Sequence, residues 1–164
     1  MGNYQFALAL AHTLDRADME ARIRAAGLDL PVVANDLYNL VAASDIALVT
    51  SGTATLECAL LECPMVIVYR LSPTTFALGR LLVRGVRHVG MPNIVAGRTV
   101  VPELLQGDVT GPKIAAVAQG ILDDPEGRAR ITAGLREVRQ QLGRGGAADR
   151  AAVIAVEMMQ GRPA

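Results

Sequence analysis

Short apolar runs alternate along this chain with longer stretches that mix apolar and charged positions. Residues 6–11, 46–50 and 65–69 are continuous apolar or near-apolar runs, the pattern of strands covered on both faces of a sheet. Residues 31–34 predict a further short strand. Pro64 precedes the 65–69 run, where its missing N–H costs no central ladder bond. Helices are predicted at 15–26, ending at Gly27; at 36–43, with Asp36 as cap; and at 54–61. Another is predicted from Thr74 or Thr75 to Arg87. Residues 91–98 read as a loop. Beyond it the pattern turns helical, with candidates at 102–106, 112–122, 125–142 and 147–160. Pro102, Pro112 and Pro125 each suit a first helical turn, and Asp123-Asp124 suits the cap before Pro125. Strand–helix alternation predicts an α/β fold, a Rossmann-like parallel sheet with flanking helices and right-handed crossovers.

Composition narrows the function classes. The 164 residues fit a single domain, 1–164, with its carboxyl-terminal helices starting at about 112. Apolar residues make up 51%, enough for a packed core. Sixteen basic residues balance sixteen acidic ones, which argues against a nucleic-acid partner. No apolar run approaches the roughly 18 residues of a membrane-spanning helix. The first residues carry no basic region of a secretory signal, and Phe6 breaks the myristoylation pattern. Cys58 and Cys63 make neither a disulfide framework nor a four-ligand zinc site, so they read as reduced core thiols. His12 and His88 lack ligand spacing. Gly143-Arg144-Gly145-Gly146 follows no strand, so it reads as a loop and not a phosphate cradle.

Ligands of open parallel sheets bind at the carboxyl ends of the strands. The turn after 46–50 reads Ser51-Gly52-Thr53-Ala54-Thr55-Leu56-Glu57. Gly52 allows a tight turn, Ser51 or Thr53 can cap the helix, and the helix start offers N–H groups to an anion. Glu57 lies one turn beyond Thr53 on the same face. There it suits ribose hydroxyls better than phosphate; the plainer alternative is a capped helix with a solvated Glu57. A second cluster holds Asn93, Arg98, Glu103 and Gln106. On the predicted 102–106 helix, Glu103 and Gln106 share a face. With Asn93 they offer acceptors to a polyhydroxylated sugar; the alternative is an ordinary surface loop.

Residues 45–106 resemble the carboxyl-terminal domain of the bacterial lipid-A-disaccharide synthases. The resemblance rests on Ala43-Ser44-Asp45, the 51–57 run, Cys63-Pro64-Met65-Val66, Tyr69-Arg70, Pro92-Asn93, Ala96-Gly97-Arg98 and Pro102-Glu103-Leu104-Leu105-Gln106. It implies the carboxyl-terminal half of a GT-B glycosyltransferase fold, incomplete at its amino end and starting near the second strand of that domain. It implies transfer of a diacylglucosamine unit from UDP to diacylglucosamine 1-phosphate, without metal or cofactor. Ser51, Gly52 and Thr53 would then meet the diphosphate and Glu57 the ribose, with Asn93, Glu103 and Gln106 near the sugar and phosphates. Arg98 would stabilise the departing UDP. The amino-terminal acceptor domain and the Gly-Ser-Arg loop are not found in this sequence, so the chain reads as a fragment, inactive alone.

The resemblance also implies a homodimer and a cytoplasmic location, peripheral to the inner membrane. The 75–87 stretch fits that location. Phe76 and its apolar neighbours stand beside Arg80, Arg84 and Arg87 at helical spacing, the pattern of a helix on an anionic bilayer or of a core helix with a solvated arginine stripe. The rival readings are another enzyme of this architecture, such as a UDP-N-acetylglucosamine-dependent transferase or epimerase, and a non-catalytic nucleotide-binding or dimerisation fragment.

Overall fold

The computed structural model describes residues 4–72, 88–143 and 145–160. The predicted 75–87 helix, with Phe76, Arg80, Arg84 and Arg87, lies outside them.

The described residues form strands β1 (Leu8–Leu10), β2 (Val32–Ala34), β3 (Ala47–Thr50), β4 (Met65–Tyr69) and β5 (Glu103–Leu105). The helices are α1 (Arg16–Ala25), α2 (Leu37–Ala42), α3 (Thr53–Leu60), α4 (Met91–Ala96), α5 (Gly111–Asp123), α6 (Pro125–Leu142) and α7 (Ala147–Met159). Every ladder is parallel, as the strand–helix alternation requires. The sheet is divided, however. β1 pairs with β2, and β3, β4 and β5 form a separate ladder with β4 in the middle.

The three-stranded ladder carries the core on both faces. β4 alternates: Met65 and Ile67 point to one side, Val66 and Val68 to the other. The first face packs Val49, Met65 and Ile67 against Cys58 and Ala59 of α3, Leu135 and Val138 of α6, and Val100 and Val101. The second packs Val66 and Leu104 against Ile114, Val117, Ala118 and Ile121 of α5. This is the layering of a doubly wound α/β domain.

Three local expectations change. Residues 91–96 form α4, because Pro92 sits in a first turn, where its absent N–H would be unpaired anyway. Residues 103–105 form β5 and not a helix: Ile67, Val68 and Tyr69 pair with Glu103, Leu104 and Leu105. Gln106 then opens a 3-10 turn to Asp108. The 6–11 run yields only three strand residues, and Phe6, Ala7, Ala9 and Ala11 stay exposed. Asp36 stands at the cap position of α2 but makes no side-chain bond to its N–H groups, accepting from Asn39 Nδ2 instead. Asp15 accepts from the Asp18 N–H, and Asp124 from the Gly127 N–H, both at 2.9 Å.

Both cysteines are free and buried, at 3% and 4% exposure. Burial raises the Cys58 thiol to about 11 and the Cys63 thiol to about 12. Thiolate, the reactive form, is therefore scarce at neutral pH. A disulfide-type thiol reagent at about pH 8 is expected to label neither site in the folded chain and both in urea. Labelling that is fast before unfolding would contradict this packing.

Candidate functional site at the carboxyl ends of β3 to β5

β3 ends at Thr50 and leads through Ser51 and Gly52 into α3. Gly52 has φ 157° and ψ −165°, a backbone region that residues with side chains rarely occupy. Among the described residues nothing lies within 4 Å of where a Cβ would sit. Neither Ser51 nor Thr53 caps the helix. Ser51 Oγ instead donates to the Val89 carbonyl at 2.8 Å, tying this turn to the 88–90 segment. Glu57, one turn along α3, is half-buried and makes no hydrogen bond or ion pair among the described residues.

Glu103 holds the 88–90 segment from the other side. Its carboxylate accepts from the N–H groups of Val89 and Gly90, both at 3.0 Å, and from Asn93 Nδ2 at 2.7 Å. The side chain is only 9% exposed, so three donors replace the water that the charge gave up. His88 Nδ1 stands 4.0 Å from Glu103 Oε1. Gly90 is required by close approach: a Cβ there would overlap Ile67.

Asn93 completes the clamp from α4. It is fully buried. Its Oδ1 accepts from Val100 N–H at 2.7 Å and Val101 N–H at 3.0 Å, and its Nδ2 donates to the Val101 carbonyl at 2.8 Å and to Glu103. One side chain thus pins the loop between α4 and β5 onto α4. At the end of β5, Gln106 takes a left-handed φ of 49°, uncommon for a residue with a side chain. Its Oε1 accepts from the Leu71 N–H at 3.2 Å, joining the ends of β4 and β5.

These bonds bring Ser51, Asn93 and Glu103 into one network around residues 88–90, with the Gln106–Leu71 bond a separate tie at the ends of β4 and β5. Two expectations are revised by it. Asn93 and Glu103 spend their polar atoms on the protein's own backbone, and Glu103 and Gln106 do not share a helix face, because β5 replaces that helix. Arg98 is not in the network: its guanidinium pairs with Glu137 on α6. The sequence carried one signal of the clamp, an Asn and a Glu ten residues apart among apolar neighbours. The Ser51–Val89 link had none.

The family model described as lipid-A-disaccharide synthetase matches residues 3–157. The chain belongs to this family. A lipid-A-disaccharide synthase of Geobacter metallireducens is 44% identical over 155 residues, covering 94% of this chain and 40% of the relative. The Geobacter sulfurreducens protein of that name gives the same values. One from Anaeromyxobacter sp. strain K is 45% identical over 157 residues, covering 95% of this chain and 41% of the relative. The chain thus spans about 40% of the length of the curated relatives it matches. Membership separates this family from the other enzymes of the same architecture, the UDP-N-acetylglucosamine-dependent transferase or epimerase named above. Among the described residues no helix is long and apolar enough to cross a membrane.

Proposed function

We propose that this chain is the donor-binding part of a glycosyltransferase that moves diacylglucosamine from UDP to diacylglucosamine 1-phosphate. The observation that supports it most is the tied convergence of 51–53, 71, 88–90 and 106 at one end of β3 to β5, where ligands of parallel sheets sit. Three roles follow. The uncapped start of α3 at Gly52 and Thr53 meets the diphosphate through its N–H groups and positive dipole end. Glu57, without a hydrogen-bond or ion-pair partner among the described residues, accepts from the ribose hydroxyls. Gln106 offers its remaining amide hydrogens to the donor. Asn93, Glu103 and Ser51 are positioning residues that fix the backbone around the ligand. Arg98, neutralised by Glu137, has no part in this reading. Acylated substrates place the reaction at a membrane surface, with the enzyme peripheral to it.

The chemistry asked of these residues is leaving-group stabilisation. As the glycosidic bond breaks, the oxygen left on UDP gains negative charge. Fixed N–H donors at a helix start stabilise that charge without reorganising.

The test is a UDP titration followed by amide NMR, with ADP and Glu57→Ala as comparisons. Saturable binding selective for UDP is expected, weakening about tenfold in Glu57→Ala, the loss of roughly one hydrogen bond to a charged acceptor. Equal binding of UDP and ADP, or an unchanged affinity in Glu57→Ala, would overturn the reading.

A further inference from the structure

Arg70 is the first residue beyond β4 and stands at the middle of the site's sheet end. Val68 pairs with Thr50 on one side and with Leu104 on the other. Both ladders are parallel, so carrying the register on by two residues sets Gly52, Arg70 and Gln106 in one row. Two bonds hold the flanks of that row. The Ser51 N–H donates to the Val68 carbonyl at 3.1 Å, one residue past the end of β3, and the Leu71 N–H donates to Gln106 Oε1 at 3.2 Å. The backbone on either side of Arg70 is thus tied, once to the turn before α3 and once to the turn after β5.

Charge singles Arg70 out. It is exposed and makes no hydrogen bond or ion pair among the described residues. The arginines on and beside α6 are all spent: Arg98 on Glu137, Arg128 on Asp45, Arg130 on Asp124, and Arg136 and Arg139 on Glu62. Gly52 and Gln106 are uncharged, so Arg70 is the one charged member of its row. The carboxylates that flank the row, Glu57 on α3 and Glu103 on β5, carry the opposite sign. A phosphate brought between two carboxylates is repelled by both unless a cation stands with them. Beside Arg70, the place of a Cβ on residue 52 has no described atom within 4 Å, which leaves room there for a ligand.

We infer that Arg70 is the cation that contacts the diphosphate of the donor, the role expected of Arg98 from the sequence. The inference deepens the UDP reading and rests on it. A guanidinium presents paired N–H donors that match two phosphate oxygens, and these charge-assisted bonds are stronger than those of neutral donors. Gln106, next in the row, offers neutral amide hydrogens to the same ligand. Arg70 recognises phosphate and neither uracil nor ribose, so its loss falls on the phosphate-bearing part of the ligand alone.

The experiment titrates UDP, uridine, inorganic pyrophosphate and glucosamine 1-phosphate into the chain, into Arg70→Gln and into Arg70→Lys, followed by amide NMR. Arg70→Gln is expected to weaken UDP and pyrophosphate by about ten- to a hundredfold and to leave uridine unchanged. Arg70→Lys should fall between the two, since an ammonium keeps the charge and loses the paired donors. The urea midpoint is expected to hold in both variants, because Arg70 makes no bond among the described residues. Unchanged UDP affinity in Arg70→Gln, with UDP bound by the parent chain, would overturn the inference and leave the UDP reading standing. Pyrophosphate binding without UDP binding, lost in Arg70→Gln, would do the opposite: the UDP reading fails and the diphosphate contact stands. Equal losses of uridine and UDP would show that Arg70 shapes the site without touching phosphate, and overturn the contact. So would a parent chain that binds neither UDP nor pyrophosphate. A loss confined to glucosamine 1-phosphate would move Arg70 to the acceptor and overturn the stated ligand.

Discussion

Asn93→Ala is expected to destabilise the chain by about 3–5 kcal/mol, a large share of the roughly 5–15 kcal/mol that holds an ordinary domain folded. The reason is accounting of donors and acceptors, not lost volume. Removing the amide orphans the N–H groups of Val100 and Val101, the Val101 carbonyl and one donor to Glu103, all in a site that water does not reach. Each unsatisfied buried group costs about 1–3 kcal/mol. Asn93→Asp is the sharper variant, because it keeps the size and the two bonds accepted by Oδ1. Its second oxygen would face the Val101 carbonyl and the Glu103 carboxylate, acceptor against acceptor, with a new buried charge. It is expected to be no better than alanine. Urea unfolding monitored by circular dichroism checks both: the midpoint should fall and the slope stay the same. A loss under 1 kcal/mol in either variant would mean that water enters this site and that the loop does not depend on Asn93.

The same residue shows what could be read from the sequence. β3 and β4 were legible because their apolar runs are short, continuous and set off by turns, and α3 because Gly52 precedes a run without breakers. β5 was not. Leu104 and Leu105 favour helix locally, and Pro102 looks like a helix start. Pairing with Ile67, Val68 and Tyr69 of β4 and burial of Leu104 outweigh a propensity difference below 1 kcal/mol per residue. α4 was missed for the opposite reason, since Pro92 was weighed as a breaker although a first turn tolerates it. The division of the sheet was beyond local pattern altogether: periodicity marks a strand but does not name its neighbour. In the candidate site the residue types were legible and their direction was not. Asn93 and Glu103 are polar residues among apolar neighbours, which suits either a ligand or a clamp, and only burial and bond partners separate the two.

That separation is what Glu103 tests. Glu103→Ala is expected to cost about 3–5 kcal/mol, because the N–H groups of Val89 and Gly90 and the Asn93 amide lose their common acceptor. Glu103→Gln should be milder, about 1–3 kcal/mol. Glutamine keeps one oxygen, which can serve Gly90 and Asn93, but its NH2 then meets the Val89 N–H, donor against donor. If Glu103 is a positioning residue, both changes weaken UDP binding in proportion to how far they loosen residues 88–90, and the ranking by stability matches the ranking by affinity. Glu57→Gln would do the reverse, lowering UDP affinity while leaving the urea midpoint in place, since Glu57 makes no hydrogen bond or ion pair among the described residues. The double variant Asn93→Ala with Glu103→Ala should fall short of the sum of the single costs by about 0.5–3 kcal/mol, as expected for two members of one hydrogen-bond network. Strict additivity, or a Glu103→Gln chain that keeps full stability and loses UDP alone, would return Glu103 to direct contact with the donor.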